Sequence, residues 1–120
     1  MREVSKKITY KGEELKIVFN LNVMEAIQAE YGTLDKWGEL TDGKTKGGEV
    51  DVKALIFGLN EMLNEGVEIT NEETGANKPL YTHKQVGRIL TEIGIEKATE
   101  DVNNLVIDST HSEEADSKNA

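Results

Sequence analysis

The sequence contains no cysteine, so disulfides, iron–sulfur clusters, cysteine-ligated zinc and cysteine nucleophiles are all excluded. It also has only two histidines and one proline in 120 residues. No apolar run approaches the roughly 18 residues of a membrane-spanning helix. No apolar stretch follows the charges near the N-terminus, so a signal peptide is not expected. We therefore expect a soluble, intracellular protein.

Basic residues are scarce relative to acidic ones. The chain has 14 Lys and Arg against 23 Asp and Glu, which gives a formal net charge of −9 with neutral His. Binding to nucleic acid phosphates requires a basic patch, and anionic membrane surfaces attract basic segments. The composition therefore argues against nucleic acid and against a membrane as partners.

Hydrophobic alternation near the N-terminus predicts a β-hairpin over residues 4–21, with a glycine turn at Lys11-Gly12-Glu13. A hairpin alone is marginally stable in water, so its apolar face is expected to pack on helices. The predicted apolar face consists of Ile8, Tyr10, Leu15, Ile17, Phe19 and Leu21.

Helical periodicity replaces the alternation after the hairpin. Asn22, with Glu25 three positions later, predicts the start of a helix over residues 23–31. Thr33 then precedes a short second helix. Residues 41–50 contain one apolar residue and three glycines, which predicts a mobile loop.

The second half of the chain predicts three more helices. Asp51 caps a third helix that is closed by Gly66, and its wide apolar stripe is typical of a central helix. Residues 67–81 contain the only proline and predict an irregular excursion. A capping box at Thr82 opens a fourth helix, and a fifth follows Gly94.

These elements predict an α+β fold class, with an N-terminal β-hairpin packed on four to five mostly short helices. Residues 1–108 are predicted to form a single globular domain. From Ser109 onward the sequence has no apolar residue larger than alanine. Because such a segment cannot offset the entropy of ordering, residues 109–120 are predicted to be a disordered acidic tail.

Residues Gly38–Thr45 match the P-loop pattern G-x-x-x-x-G-K-[ST]. A working P-loop requires a buried strand before the loop and a helix directly after it. Residues 34–37 instead indicate a helical turn, and Lys46-Gly47-Gly48 is a poor helix start. We interpret this string as a flexible loop, and a small nucleotide-binding enzyme is the lesser alternative.

Other patterns of catalysis or metal binding are weak. His83 lies in the first turn of a predicted helix and His111 in the predicted tail, without an H-E-x-x-H or Ser/His/Asp arrangement. No EF-hand calcium loop is present. The sequence therefore predicts no enzyme, no catalytic residue, no cofactor and no metal site. Three acidic doublets are expected to stay hydrated in turns or the tail, at Glu13-Glu14, Glu72-Glu73 and Glu113-Glu114.

Three of the six aromatic residues are candidates for binding a partner protein. Trp37 lies on the short helix beside the predicted loop, and Phe57 lies off the main stripe of its helix. Tyr81 directly precedes the capping box. Aromatic side chains are common anchors of protein interfaces, while a place in the core is the alternative for each.

Several local motifs occur in an order that is familiar from one family. Ile8-Thr9-Tyr10-Lys11-Gly12 leads through Ile17-Val18-Phe19 to Ala26-Ile27 and then to Tyr31-Gly32-Thr33-Leu34. Leu80-Tyr81-Thr82, followed by Gln85-Val86-Gly87, opens a later helix. Over residues 7–107 this pattern resembles the tail assembly chaperones of long-tailed bacteriophages and prophages.

The resemblance implies a non-enzymatic protein of the host bacterial cytoplasm. Such chaperones coat the tape measure protein, keep its long apolar helices soluble and help to recruit tail tube subunits. The resemblance also implies absence from the mature virion. Self-association along such a partner would be heterologous, in a head-to-tail arrangement. Many members have a second, longer form made by a programmed frameshift, and the polar end Ser109–Ala120 fits the short form.

Two other functions stay open. An acidic protein can mimic DNA and inhibit a host DNA-processing enzyme, although the carboxylates here are interspersed with 14 basic residues. A structural tail component is the other alternative, and it would be present in purified virions.

Overall fold

The computed structural model describes residues 3–43 and 48–119, with side chains described as far as Thr110. It has the predicted α+β class, since an N-terminal hairpin packs on five helices. Three of the helices are short, with 8 to 11 residues, and two are long, with 23 and 25 residues, in agreement with the prediction of mostly short helices. In chain order the elements are β1 (Val4–Tyr10), β2 (Glu13–Phe19), α1 (Leu21–Tyr31), α2 (Leu34–Thr41), α3 (Val52–Thr74), α4 (His83–Ile93) and α5 (Ile95–Asn119).

The predicted hairpin forms, and its turn consists of the two residues Lys11 and Gly12, since Glu13 already pairs with Tyr10. Its antiparallel register runs from the Val4–Phe19 pair to the Tyr10–Glu13 pair. Lys11 and the glycine after it both have positive φ, 50° and 79°, as in the type I′ turns that match the twist of a hairpin. The turn therefore sets which side chains of β2 face the helices.

The core lies between the inner face of the hairpin and the helices. Ile17 and Phe19 of β2 are fully buried, whereas Leu21, predicted on the same face, begins α1 and is exposed. Val18 is also buried, although it lies on the opposite face of the strand. The largest buried core side chains from the helices are Ile27, Trp37, Leu55, Leu59, Met62, Leu63 and Ile89.

Most of the predicted helix caps are confirmed, but α1 starts differently. Its N-cap is Asn20 rather than Asn22, since the Asn20 Oδ1 accepts a hydrogen bond from the Val23 backbone N–H at 3.2 Å. The Asn22 Nδ2 instead donates to Glu65 Oε2 at 2.9 Å. The confirmed caps are Thr33, Asp51 and Thr82 at the helix starts and Gly32 and Gly94 at the helix ends.

The sequence predicts that helix α3 ends at Gly66, but the helix continues to Thr74. A Cβ at position 66 would lie 2.6 Å from the Lys16 carbonyl oxygen of β2. Glycine is therefore required here because the helix backbone approaches the strand backbone closely. The actual C-cap is Gly75, which has a left-handed φ of 75° and donates its N–H to the Asn71 carbonyl.

The predicted excursion is confined to residues 75–81, which we call the strap. Two asparagine side chains of α3 hold its backbone. The Asn71 amide accepts from the Lys78 N–H at 3.1 Å and donates to the Lys78 carbonyl at 3.0 Å. The Asn64 amide makes the same pair of bonds with Tyr81, at 2.7 and 3.1 Å. The strap therefore lies along α3 and delivers the chain to α4.

A buried carboxylate ties α5 to the hairpin. Asp101 is buried, and its Oδ1 lies 3.2 Å from Lys6 Nζ of β1 and 3.0 Å from Lys97 Nζ. A buried charge is tolerated when it is paired in this way. The hydrogen bond that the Lys97 ammonium donates to the Asp101 carboxylate raises the pKa of Lys97.

The predicted tail begins too early, since α5 includes Ser109 and Thr110. Ser109 is fully buried. It follows Val102 and Leu105 at the spacing of one helix face, and its small side chain allows close packing there. The bounds of α5 carry the helix to Asn119. The side chains of residues 111–120 lie outside the described part of the chain.

We predict that Gly66→Ala destabilises the protein by about 1–3 kcal/mol, because the added methyl must push α3 away from the backbone of β2. Gly87→Ala is the matched control in α4, where the new Cβ would meet only Ile56 Cδ1 at 3.8 Å. The control is expected to stabilise the protein by up to about 1 kcal/mol, through helix propensity. Denaturant unfolding measures both, and equal stabilisation would contradict the close approach.

We also predict that Glu61→Gln stabilises the protein at pH 7. Burial raises the pKa of Glu61, and the neighbouring Glu68 and Glu65 raise it further. The folded chain therefore holds this proton to a higher pH than the unfolded chain, so stability falls as the pH rises above the ordinary Glu value of 4.5. Unfolding measured from pH 4 to 8 should show this fall weakened in the variant. Glu92→Gln, exposed on α4, is the control and should follow the wild type.

Candidate partner-binding groove

An open groove of about 1650 Å³ lies between α2, residues 48–50 and α5. We call it the acidic groove, for the side chains along its rims. Helix α2 forms one wall and α5 the other, so the groove is built from parts of the chain that are about 60 residues apart. Ligands commonly bind in clefts between structural elements, so this groove is the candidate partner-binding surface.

Trp37 forms part of the groove floor but is not an exposed anchor. Its side chain is buried, and its Nε1–H donates to the Ala54 carbonyl at 2.9 Å. A Cβ at Gly58 would lie 2.3 Å from the indole ring. The close approach of α3 therefore encloses the ring, and the core alternative describes Trp37 better than the predicted partner-binding role.

The other two predicted partner-binding residues lie outside the groove. Phe57 is half-buried and makes an edge-to-face contact with Tyr31, with ring centroids 5.5 Å apart and planes at 74°. Tyr81 is half-buried at the end of the strap, and burial together with Glu13 raises the pKa of its phenol. The structure therefore does not bring Trp37, Phe57 and Tyr81 together.

Exposed aliphatic side chains line the α5 wall of the groove. Ile95 is 41% exposed and Ile107 is 47% exposed. They lie 12 residues apart, which is about 18 Å along a helix axis. The helical spacing of Ile95, Ala98, Val102, Leu105 and Val106 in the sequence predicts one core stripe for this helix, but Ile95 is exposed. That prediction did not include Ile107. Its position off the Ala98–Val102–Leu105 stripe is the signal that could have identified it.

Every charged side chain among the described lining residues is acidic. Five of these carboxylates are exposed. A cleft lined by charges of one sign concentrates the potential and attracts the opposite charge. Residues 44–47, which follow α2 in sequence, lie outside the described part of the chain. The exposed carboxylates are Asp35 and Glu39 on α2, Glu49 before α3, and Glu96 and Glu100 on α5.

Thr99, which also lines the groove, has a buried hydroxyl with no hydrogen-bond partner. The residue is 8% exposed. Leaving such a group unpaired costs about 1–3 kcal/mol, so native proteins contain few of them. Because the oxygen itself is buried, a partner in the groove would reach it only after a small shift of the surrounding side chains.

The P-loop-like string does not form a P-loop in the described residues. Its first four residues, 38–41, lie inside α2, where their backbone groups belong to a helix rather than to a phosphate cradle. Helix α1 precedes α2, so no strand leads into the string. Lys44 and Thr45 lie outside the described residues.

No group of three or more His, Asp or Glu side chains in the described part of the chain is placed to hold a metal ion. His83 is exposed in the first turn of α4. Within the same residues, no helix is both long and apolar enough to cross a bilayer.

Comparison of the chain with family models, curated proteins and solved structures found no match. The proposed function therefore rests on the groove, the charges around it and the sequence motifs.

We predict that Thr99→Val stabilises the protein by about 1 kcal/mol, because it removes a buried hydroxyl that has no partner. Thr41→Val is the matched control, since Thr41 is also buried but its hydroxyl donates to the Trp37 carbonyl at 3.1 Å. The control is expected to lose about 0.5–1.5 kcal/mol. Thermal and denaturant unfolding measure both. A loss of stability in both variants would mean that the Thr99 hydroxyl already has a partner in the folded protein.

Proposed function

We propose that this protein is a non-enzymatic tail assembly chaperone of a long-tailed phage or prophage. It binds the tape measure protein and helps to recruit tail tube subunits in the host bacterial cytoplasm, and it does not stay in the mature virion. The observation that carries the proposal is the acidic groove, which offers exposed apolar side chains between rims of carboxylates.

The groove suits a protein that holds an apolar segment in solution. Ile95 and Ile107 offer apolar contacts along about three helical turns. Docking of an amphipathic helix in an apolar groove is a common way for one protein to bind a segment of another. The net charge of −9 would help to keep the loaded complex soluble.

The motifs behind the family resemblance have structural roles in this fold. Lys11-Gly12 forms the hairpin turn, and Ile27 is buried in the core. Gly32, with φ of 91°, ends α1, and Thr33 caps α2. These positions support a shared fold, while the partner is proposed from the groove.

The acidic rims also favour a second candidate function, the DNA-mimic inhibitor of a host DNA-processing enzyme. Exposed carboxylates could pair with the basic surface of such an enzyme, and that binding would weaken strongly with salt. The apolar side chains of the groove favour the chaperone, because a mimic of DNA has no need for exposed isoleucines.

We expect a tagged form of the protein, expressed in a lysogenic host during prophage induction, to recover the tape measure and tail tube proteins, because the groove holds an apolar segment. Mass spectrometry identifies the bound proteins, and an unrelated tagged protein of similar size and net charge is the control. Purified virions from the same culture should lack the protein.

Two results would overturn the chaperone proposal. Recovery of a DNA-processing enzyme without tail proteins would support the DNA mimic. Detection of the protein in purified virions, at a stoichiometry comparable to that of other tail proteins, would support a structural tail component.

A further inference from the structure

We propose that the acidic groove binds a positively charged amphipathic helix. Its apolar face would contact Ile95 and Ile107, and its Lys or Arg side chains would lie against the rim carboxylates. This inference rests on the proposed function for the identity of the protein that contains the helix. Beyond the proposed function, it specifies the chemistry of the segment that is bound and the surface of this protein that binds it.

Charge complementarity determines the sign of the charge that the occupant of the groove carries. Five exposed carboxylates line the groove, and the lining residues that the structure describes include no Lys or Arg. A second copy of this chain would bring a net charge of −9 to the same surface and be repelled. Nucleic acid is disfavoured for the same reason. A basic protein segment is the occupant that these charges attract.

The pattern of side chains along α5 indicates the length and register of the occupant. Ile95, Thr99, Asn103 and Ile107 all line the groove and follow one another at intervals of four residues. Residues at this spacing form one row that winds around the helix surface, inclined by about 26° to the helix axis. The row is apolar at both ends and polar in the middle. A helix of about three turns, with apolar residues near its ends and a polar residue at its centre, complements it.

The buried Thr99 hydroxyl is the second observation that points to a ligand. It lies in the middle of this row and has no partner in the protein alone. A hydrogen bond from a polar group of the incoming helix would satisfy it and fix the helix in one register.

The test measures binding of fluorescently labelled synthetic peptides, each roughly 20 residues long, to the full chain by anisotropy. One peptide places leucines at i, i+3, i+11 and i+14, a serine at i+7 and lysines elsewhere, so that its apolar residues lie near the two ends of one helix face and its polar contact lies at the centre. A second has the same composition in scrambled order, and a third replaces lysine by glutamate. We expect the first to bind at least about tenfold more tightly than the second, to weaken with salt, and the third not to bind. Equal binding of the first two would overturn the proposal.

A matched pair of variants separates the groove from general attraction by the acidic surface. Ile107→Lys places a positive charge in the groove, whereas Leu80→Lys makes the same change on the strap, and both residues are 47% exposed in the wild type. We expect the first variant to bind the lysine–leucine peptide at least about tenfold more weakly and the second to bind within about twofold of the wild type. Equal weakening in both would place the binding outside the groove.

Ile95→Lys, with Val52→Lys as its control, repeats the comparison at the other end of the row, in case Ile107→Lys does not fold. Thr99→Val adds a readout of register, because it should weaken peptide binding severalfold while raising the melting temperature. An unchanged affinity would show that the Thr99 hydroxyl takes no part in peptide binding.

The same variants in the pull-down distinguish failure of this inference from failure of the proposed function. Loss of the tape measure protein with Ile107→Lys, but not with Leu80→Lys, supports the groove. Retention of the tape measure protein by both leaves the chaperone function intact and overturns the groove. Tight peptide binding by a wild-type protein that recovers no tail protein supports the groove and overturns the chaperone function.

Discussion

The structure depends on how closely α3 approaches its two neighbours. At Gly58 its backbone lies against the Trp37 ring of α2, and at Gly66 it lies against the Lys16 carbonyl of β2. These glycines are eight residues apart, or about 12 Å along the helix. A methyl group at either position would force the layers apart. The two contacts together place α3 between the hairpin and α2, with the rest of the core packed around it.

The groove follows from this arrangement. Because α3 encloses the Trp37 ring, α2 is oriented with its indole inward and with Asp35 and Glu39 exposed. The ion pair between the half-buried Lys6 and the buried Asp101 holds α5 against the hairpin on the other side. The gap between α2 and α5 is lined by the outward side chains of both helices. Its acidity is therefore a property of two helix surfaces that the core has already oriented.

Local signals in the sequence predicted the hairpin, its turn and most of the caps, because each is formed by residues close together in the chain. They failed where a local pattern has two physical meanings. Gly66 has the appearance of a helix end, yet it serves a close approach to a strand 50 residues away. Asn20 and Asn22 are both good caps, and tertiary contacts with Glu65 involve both. The groove could not be predicted, since no local pattern reports that α2 and α5 face each other.

The hydrogen bonds of the Asn64 and Asn71 side chains give the strap between α3 and α4 a fixed length. Asn64 and Asn71 are seven residues apart on a helix, or about 10.5 Å, and they hold Tyr81 and Lys78, which are three residues apart in an extended segment, or about 10 Å. The helical and extended rises therefore match over this interval. Inserting or deleting one residue between Lys78 and Tyr81 would break the match and leave one amide without its backbone partners. Unlike most surface loops, this connection therefore tolerates no change in its number of residues between Lys78 and Tyr81.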